Sequence, residues 1–173
     1  MDLLDIKGRI AVALVESVFR RAGYAVGPVP GLGPQPVARM GREDLVPDFA
    51  AAGPGDEGGD APGDAGRRDP RVVEVRYRPL IAQYLAIEAQ RAGQSVFALA
   101  KRQWPALLFV FVTDHPEPGR SGFQAVDLAP WSLGSPLPAE DLFAHAGLRI
   151  YRQNVEEHEA LLRRIFALLT GRA

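Results

Sequence analysis

The 173-residue chain contains no cysteine, so disulfides, thiolate metal sites and cysteine nucleophiles are excluded. Lysine is nearly absent: Lys7 and Lys101 are the only two, and arginine supplies the other basic side chains. Three histidines, His115, His145 and His158, stand far apart and show no metal-ligand spacing. No apolar run approaches the roughly 20 residues that a bilayer-crossing helix needs. The start, MDLLDIKGRI, lacks the basic-then-apolar layout of a secretion signal. These absences fit a cytoplasmic protein with no membrane partner. A formal net charge of −1 gives no global field toward a polyanion, so a nucleic-acid partner needs a local basic patch. Phosphate-cradling motifs are missing too. The glycine-rich stretches form neither a P-loop nor G-x-G-x-x-G, and GQSVF lacks the final glycine of a G-x-S-x-G elbow.

What is present argues for one folded domain over 1–173, because 47% of the residues are apolar. Helical spacing of Ile6, Ile10, Ala13, Leu14 and Val18 predicts a helix over about 5–22, capped by Asp5 and ended by Gly23. YAV (24–26) and DLVPDFAA (44–51) read as strands, the second with Leu45 and Phe49 on one face. Residues 51–70 hold six glycines, three prolines and four aspartates. Such a segment buries too little surface to offset its ordering entropy, so it reads as a flexible loop between two core strands.

The strand VVEVRYR (72–78) follows, stopped by Pro79. A helical region then runs to Trp104 with a break at Gly93, and ALLFVFVTD reads as a central strand buried on both faces. GFQAVDL predicts another strand, 129–150 is irregular, and a last helix spans about 155–170. Asn154 and Glu157 are its expected capping box and Gly171 its end. Its wide apolar face, including Leu161, Leu168 and Leu169, leaves room for a homodimer contact. The order helix, three strands, helix, strand, strand, helix predicts an α/β or α+β fold, a mixed sheet with helices on its faces.

The chemistry-bearing candidates converge on the strand at 72–78. Alternation puts Glu74, Arg76 and Arg78 on one side and Val73, Val75 and Tyr77 on the other. Asp48 lies on the preceding strand. Two carboxylates on neighbouring strands make a site for a hard divalent cation, Mg²⁺ or Mn²⁺. A base two residues after Glu74 would share its face and could neutralise charge on a phosphate. The plainer reading is an ion-pair network on a solvated strand face, with Asp48 a strand-edge residue.

VPDF followed by VVEVRYR resembles the PD-(D/E)xK nuclease superfamily, the restriction-endonuclease-like fold. The resemblance covers about two thirds of the chain and rests on a short motif plus its element order. It implies an αβββαβ core, with the last strand and helix as additions, and Mg²⁺-dependent hydrolysis of DNA phosphodiester bonds. It matches Asp48 to the motif aspartate, Glu74 to the second acid and Glu16, on the first helix, to an additional metal ligand. The KGR of residues 7–9 also resembles the opening of several members. The motif lysine is replaced by Arg76, which holds phosphate but cannot act as a general base. Lys101, on the following helical region, is the one alternative lysine. Three readings stand: an active metal-dependent nuclease; a nuclease-fold protein that has lost cleavage and binds nucleic acid or protein; and an unrelated α/β domain. Arg67, Arg68, Arg71, Lys101 and Arg102 are candidate phosphate contacts, and Trp104 and Trp131 candidate stacking platforms, each with an ordinary surface or core role as the alternative.

Overall fold

Helix α1 (Leu3–Arg21) begins before Asp5. Asp2 is the cap: its side chain accepts from Leu4 N at 3.2 Å, while Asp5 reaches back to accept from Asp2 N at 3.3 Å. The computed structural model describes residues 2–31, 38–40, 43–54 and 70–171. The buried face of α1 is Lys7, Ala11, Leu14, Val15, Val18 and Phe19, so the stripe is rotated from the expected one and Ala13 is exposed.

Six strands form a mixed sheet in the order β1 (Ala25–Gly27), β4 (Phe49–Ala52), β5 (Arg71–Tyr77), β6 (Leu108–Val112), β7 (Phe123–Asp127), β8 (Glu140–Asp141). Only β5 and β6 are parallel; the other neighbours are antiparallel. Strands β2 (Ala38–Met40) and β3 (Glu43–Leu45) pair separately. The single strand expected over DLVPDFAA is therefore two. Pro47 has no N–H for a ladder, and the chain breaks at 46–48. Leu45 and Phe49 consequently enter different core layers, not one face. Residues 55–69, most of the expected loop, lie outside the described residues; the strands they join, β4 and β5, are antiparallel neighbours.

The parallel β5–β6 pair requires a crossover, supplied by α2 (Ile81–Gln90), a 3-10 turn (Ala92–Gln94) containing Gly93, and α3 (Val96–Gln103). Ser95 caps α3 through Ala98 N at 3.1 Å. Buried Glu88 accepts Val96 N at 2.7 Å and Arg91 Nη1 at 2.9 Å, clamping the two helices. Helix α4 (Arg152–Leu169) starts earlier than its apolar face indicates. Asn154 accepts from Tyr151 N at 2.8 Å, whereas Glu157 is drawn to Arg21 instead of closing a capping box. Gly171 follows with φ +67°.

Helices α1 and α4 cover one sheet face, packing Phe19, Val155, Leu162 and Phe166 onto Val73, Val75 and Val110. Helices α2 and α3 cover the other, with Phe97 edge-on to Phe109 at 5.0 Å between centroids. Leu161, Leu168 and Leu169 remain exposed on α4. Among the described residues no helix is long and apolar enough to cross a membrane. Where β6 turns into β7, Gly122 lies so close to its neighbour that a Cβ would stand 2.9 Å from Thr113 O. Gly122→Ala is accordingly expected to destabilise by about 1–3 kcal/mol in urea unfolding, because the clash is with backbone.

Candidate functional site

Val73, Val75 and Tyr77 enter the layer beneath α1 and α4, so Glu74 and Arg76 turn toward α2 and α3. The pairing sets Glu74 beside Phe109 and Arg76 beside Phe111, and the Arg76 guanidinium lies 5.9 Å from the Phe109 ring centre. This is not a solvated face. Glu74 and Arg76 are 6% and 7% exposed, and Arg76 Nε donates to Glu74 Oε1 at 3.1 Å. Arg78, half-buried, sits over the Tyr84 ring at 4.5 Å. Burial pushes the Tyr84 hydroxyl up, and the Arg76 and Arg78 charges oppose that, so α2 closes over the charged side of β5.

Asp48 arrives at the same strand from its β4 edge. The β4–β5 register begins with Phe49 opposite Val73. One residue earlier, Asp48 N donates to Val73 O at 2.9 Å and Asp48 Oδ2 accepts Val75 N–H at 2.7 Å. Asp48 therefore brackets Glu74 on the β5 backbone, its side chain substituting for a ladder partner that β4 does not supply there. Asp48 keeps an exposed surface, yet its carboxyl is packed against that backbone. Loss of surrounding water pushes it up to about 6; the Val75 N–H bond and the Arg76 charge oppose the rise, and Glu16 adds to it.

Glu16 belongs to α1, on the far face from Glu74, and pairs with Arg20 at 3.0 Å. It acts on Asp48 through charge. Among the described residues no group of three or more His, Asp or Glu side chains is placed to hold a metal ion. Asp48 and Glu74 nonetheless suit the donor chemistry of Mg²⁺ or Mn²⁺, which takes one or two carboxylates and completes its shell with other oxygens. Glu74, held by Arg76 through Oε1, would offer its carboxylate to that cation. Since Asp48 must lose its proton to ligate, any Mn²⁺ held there would bind about tenfold more weakly per pH unit below 6 and level off above 7. Calorimetric titration at pH 5, 6, 7 and 8 measures this.

Neither lysine reaches the site. Lys101 Nζ donates to the carbonyls of Leu128 and Ala129, beyond the end of β7. Lys7 is buried on the α1 face, where Nζ donates to Asp114 Oδ2 at 2.8 Å and to the Tyr77 hydroxyl at 3.0 Å. Tyr77 in turn donates to Asp114 Oδ1 at 2.6 Å. This network ties α1 to the ends of β5 and β6, so the KGR opening serves the fold here. Its signal was legible: Lys7 falls in the helical series 7, 11, 14, 18 among core positions. The histidines do not converge. His115 Nδ1 lies 3.1 Å from Asp114, His145 Nε2 lies 3.3 Å from Asp127, and His158 joins α4 to Ser17 of α1 at 2.9 Å. Trp131 is a core residue with its indole N–H on Ser135 O at 3.1 Å, whereas Trp104 is half-buried. Arg67 and Arg68 lie outside the described residues.

The chain matches no protein-family model, no curated protein and no solved structure.

Proposed function

We propose that the chain is a metal-dependent nuclease hydrolysing DNA phosphodiester bonds, with Asp48 and Glu74 as the acids that hold Mg²⁺ or Mn²⁺. The observation that carries this reading is the way Asp48 brackets Glu74, N–H to Val73 O and carboxylate to Val75 N–H, with its carboxyl raised to about 6. An acid kept where ionisation is disfavoured, beside a second buried acid, is a candidate for a functional site. The element order α1, β1, β4, β5, α2–α3, β6 supports the restriction-endonuclease-like αβββαβ core, with the β2–β3 hairpin inserted and β7, β8 and α4 added.

A divalent cation at these acids would supply Lewis-acid polarisation of the phosphodiester. Asp48 is oriented for it by the Val75 N–H, and Glu74 by Arg76. Arg76 would offer planar N–H donors to the non-bridging phosphate oxygens, where negative charge develops, and it takes up no proton. Glu16 raises the cost of a second negative charge near Asp48 and so favours a bound cation.

The second reading, a nuclease-fold protein that only binds nucleic acid or another protein, is favoured by one observation: Arg76 is committed to Glu74 and neither lysine is near. Arg76→Lys separates the two. In an active nuclease it is expected to raise the single-turnover rate on plasmid or oligonucleotide DNA about ten- to a hundredfold, since lysine can pass a proton and arginine cannot. A silent parent revived by Arg76→Lys marks a protein that has lost cleavage. Two silent proteins that bind no Mn²⁺ rule out the metal site.

A further inference from the structure

A cavity of about 740 Å³ opens where β5 and β6 begin. It has the size of a small-molecule site. Tyr24, Trp104, Leu107 and Leu148 give it aromatic and apolar walls, and Arg71 and Arg149 bring positive charge. It shares no residue with Asp48, Glu74 or Arg76.

Both arginines are held in place. Arg71 Nη1 donates to Asp127 Oδ2 at 2.8 Å. Asp127 is itself fixed by Ala129 N at 2.8 Å and by His145 Nε2 at 3.3 Å. The ring of His145 is oriented because Nδ1 accepts from Gly147 N at 2.9 Å, which turns Nε2 toward Asp127. Gly147 keeps this arrangement open: a Cβ there would meet His145 Cε1 at 2.9 Å and Arg71 Nη2 at 3.2 Å. Across the opening, Arg149 N donates to the Tyr24 hydroxyl at 2.9 Å, and Nη1 donates to Pro54 O at 3.3 Å. Asp127 pairs with Arg71, and Arg149 brings a second guanidinium to the opposite side of the opening. Flat aromatic walls with oriented guanidinium groups suit a planar ring carrying an anion.

We propose that this cavity binds a nucleoside monophosphate unit, its base against Trp104 and Tyr24 and its phosphate at Arg149 and Arg71. The unit could be a free nucleotide or one unstacked nucleotide of a single strand, and the chemistry recognised is the same.

The test is tryptophan fluorescence of the full chain, because Trp104 lines the cavity and Trp131 is buried elsewhere as an internal reference. AMP is expected to quench emission saturably at or below about 1 mM. Adenosine, without the phosphate, should bind about tenfold more weakly, as should Arg149→Glu toward AMP. Gly147→Ala, which crowds Arg71, should weaken AMP as well, and Trp104→Phe should remove the quench while Trp131 emission persists. EDTA should change nothing, which separates this site from the metal reading. Tighter binding of a short deoxyadenosine oligonucleotide assigns the cavity to single-stranded nucleic acid; equal or tighter binding of AMP assigns it to free nucleotide. No saturable quench by either, or AMP affinity unchanged in folded Arg149→Glu, overturns the proposal.

Discussion

Asp114→Ala is expected to lower stability by about 3–5 kcal/mol, measured by urea unfolding at pH 7, because it leaves the Lys7 ammonium buried without its carboxylate. Lys7 and Asp114 side chains are 7% and 9% exposed, so water cannot replace the lost partner. The double replacement Lys7→Met with Asp114→Leu should recover most of that loss, since apolar side chains of similar volume ask for no counter-charge. The pH dependence follows from the same geometry. Burial alone would push the Asp114 carboxyl up, but hydrogen bonds from Lys7 and Tyr77, with the Lys7 charge, outweigh it and bring the group from 3.8 down to about 2. A depressed acid gives stability that is present above about pH 4 and lost as pH falls through about 2. Lys7 behaves oppositely. Burial lowers its affinity for the proton, and the bonds to Asp114 and Tyr77 more than restore it, above 10.5. Its contribution is present below 10.5 and is lost as pH rises beyond its folded value. In the Asp114→Ala protein the acid limb should flatten; a loss under 1 kcal/mol with the limb intact would mean the network carries little.

Asp48→Asn should separate stability from activity. The Asp48 carboxyl is raised from 3.8 to about 6, so the folded chain holds that proton more tightly than the unfolded one. Ionising it therefore costs stability as pH rises from about 4 to about 6, and the cost is complete above that range. Asparagine has no proton to lose and still offers an oxygen to Val75 N–H. The variant is expected to unfold at an equal or higher temperature than the parent at pH 7.5. Its Mn²⁺ binding should be abolished and any DNA cleavage reduced at least about a hundredfold. A less stable protein that still cleaves would make Asp48 a ladder cap alone.

The order of α1, β1, β5, the crossover helices, β6, β7 and α4 was legible because periodicity reports directly on burial, whereas the short strands β2 and β8 carry too few residues to show a pattern. The run LFVFV became a central strand and VVEVRY a strand with an alternating core face. Alternation assigns Glu74 and Arg76 to the side opposite Val75, but it carries no information about what lies over that side. Helix α2, distant by several residues, rules out the plainer alternative of a solvated face and makes Glu74 and Arg76 a buried ion pair. The split at Pro47 follows from a missing N–H, and the motif reading overlooked it because Leu45 and Phe49 keep strand spacing across the break. The start of α4 escaped because residues 152–154 carry no apolar stripe. For the candidate site, strand adjacency put Asp48 next to the stretch that carries Glu74, and the Asp48 bonds to Val73 O and Val75 N–H are found there, whereas Glu16 lies on α1 over the opposite sheet face. The fates of Lys7 and Lys101 depend on contacts across 107 and 27 residues, a range that no local pattern encodes.

The ends of the six-stranded sheet bear on behaviour at high concentration. Its outermost strands, β1 and β8, have three and two residues, and every longer strand is paired on both sides. Intermolecular strand addition needs a long, flat run of open N–H and C=O groups, and neither border offers one. Fibril growth from the folded protein is thereby disfavoured, and both borders carry a further block: Glu140 and Asp141 put two charges on β8, and Pro28 follows β1 directly.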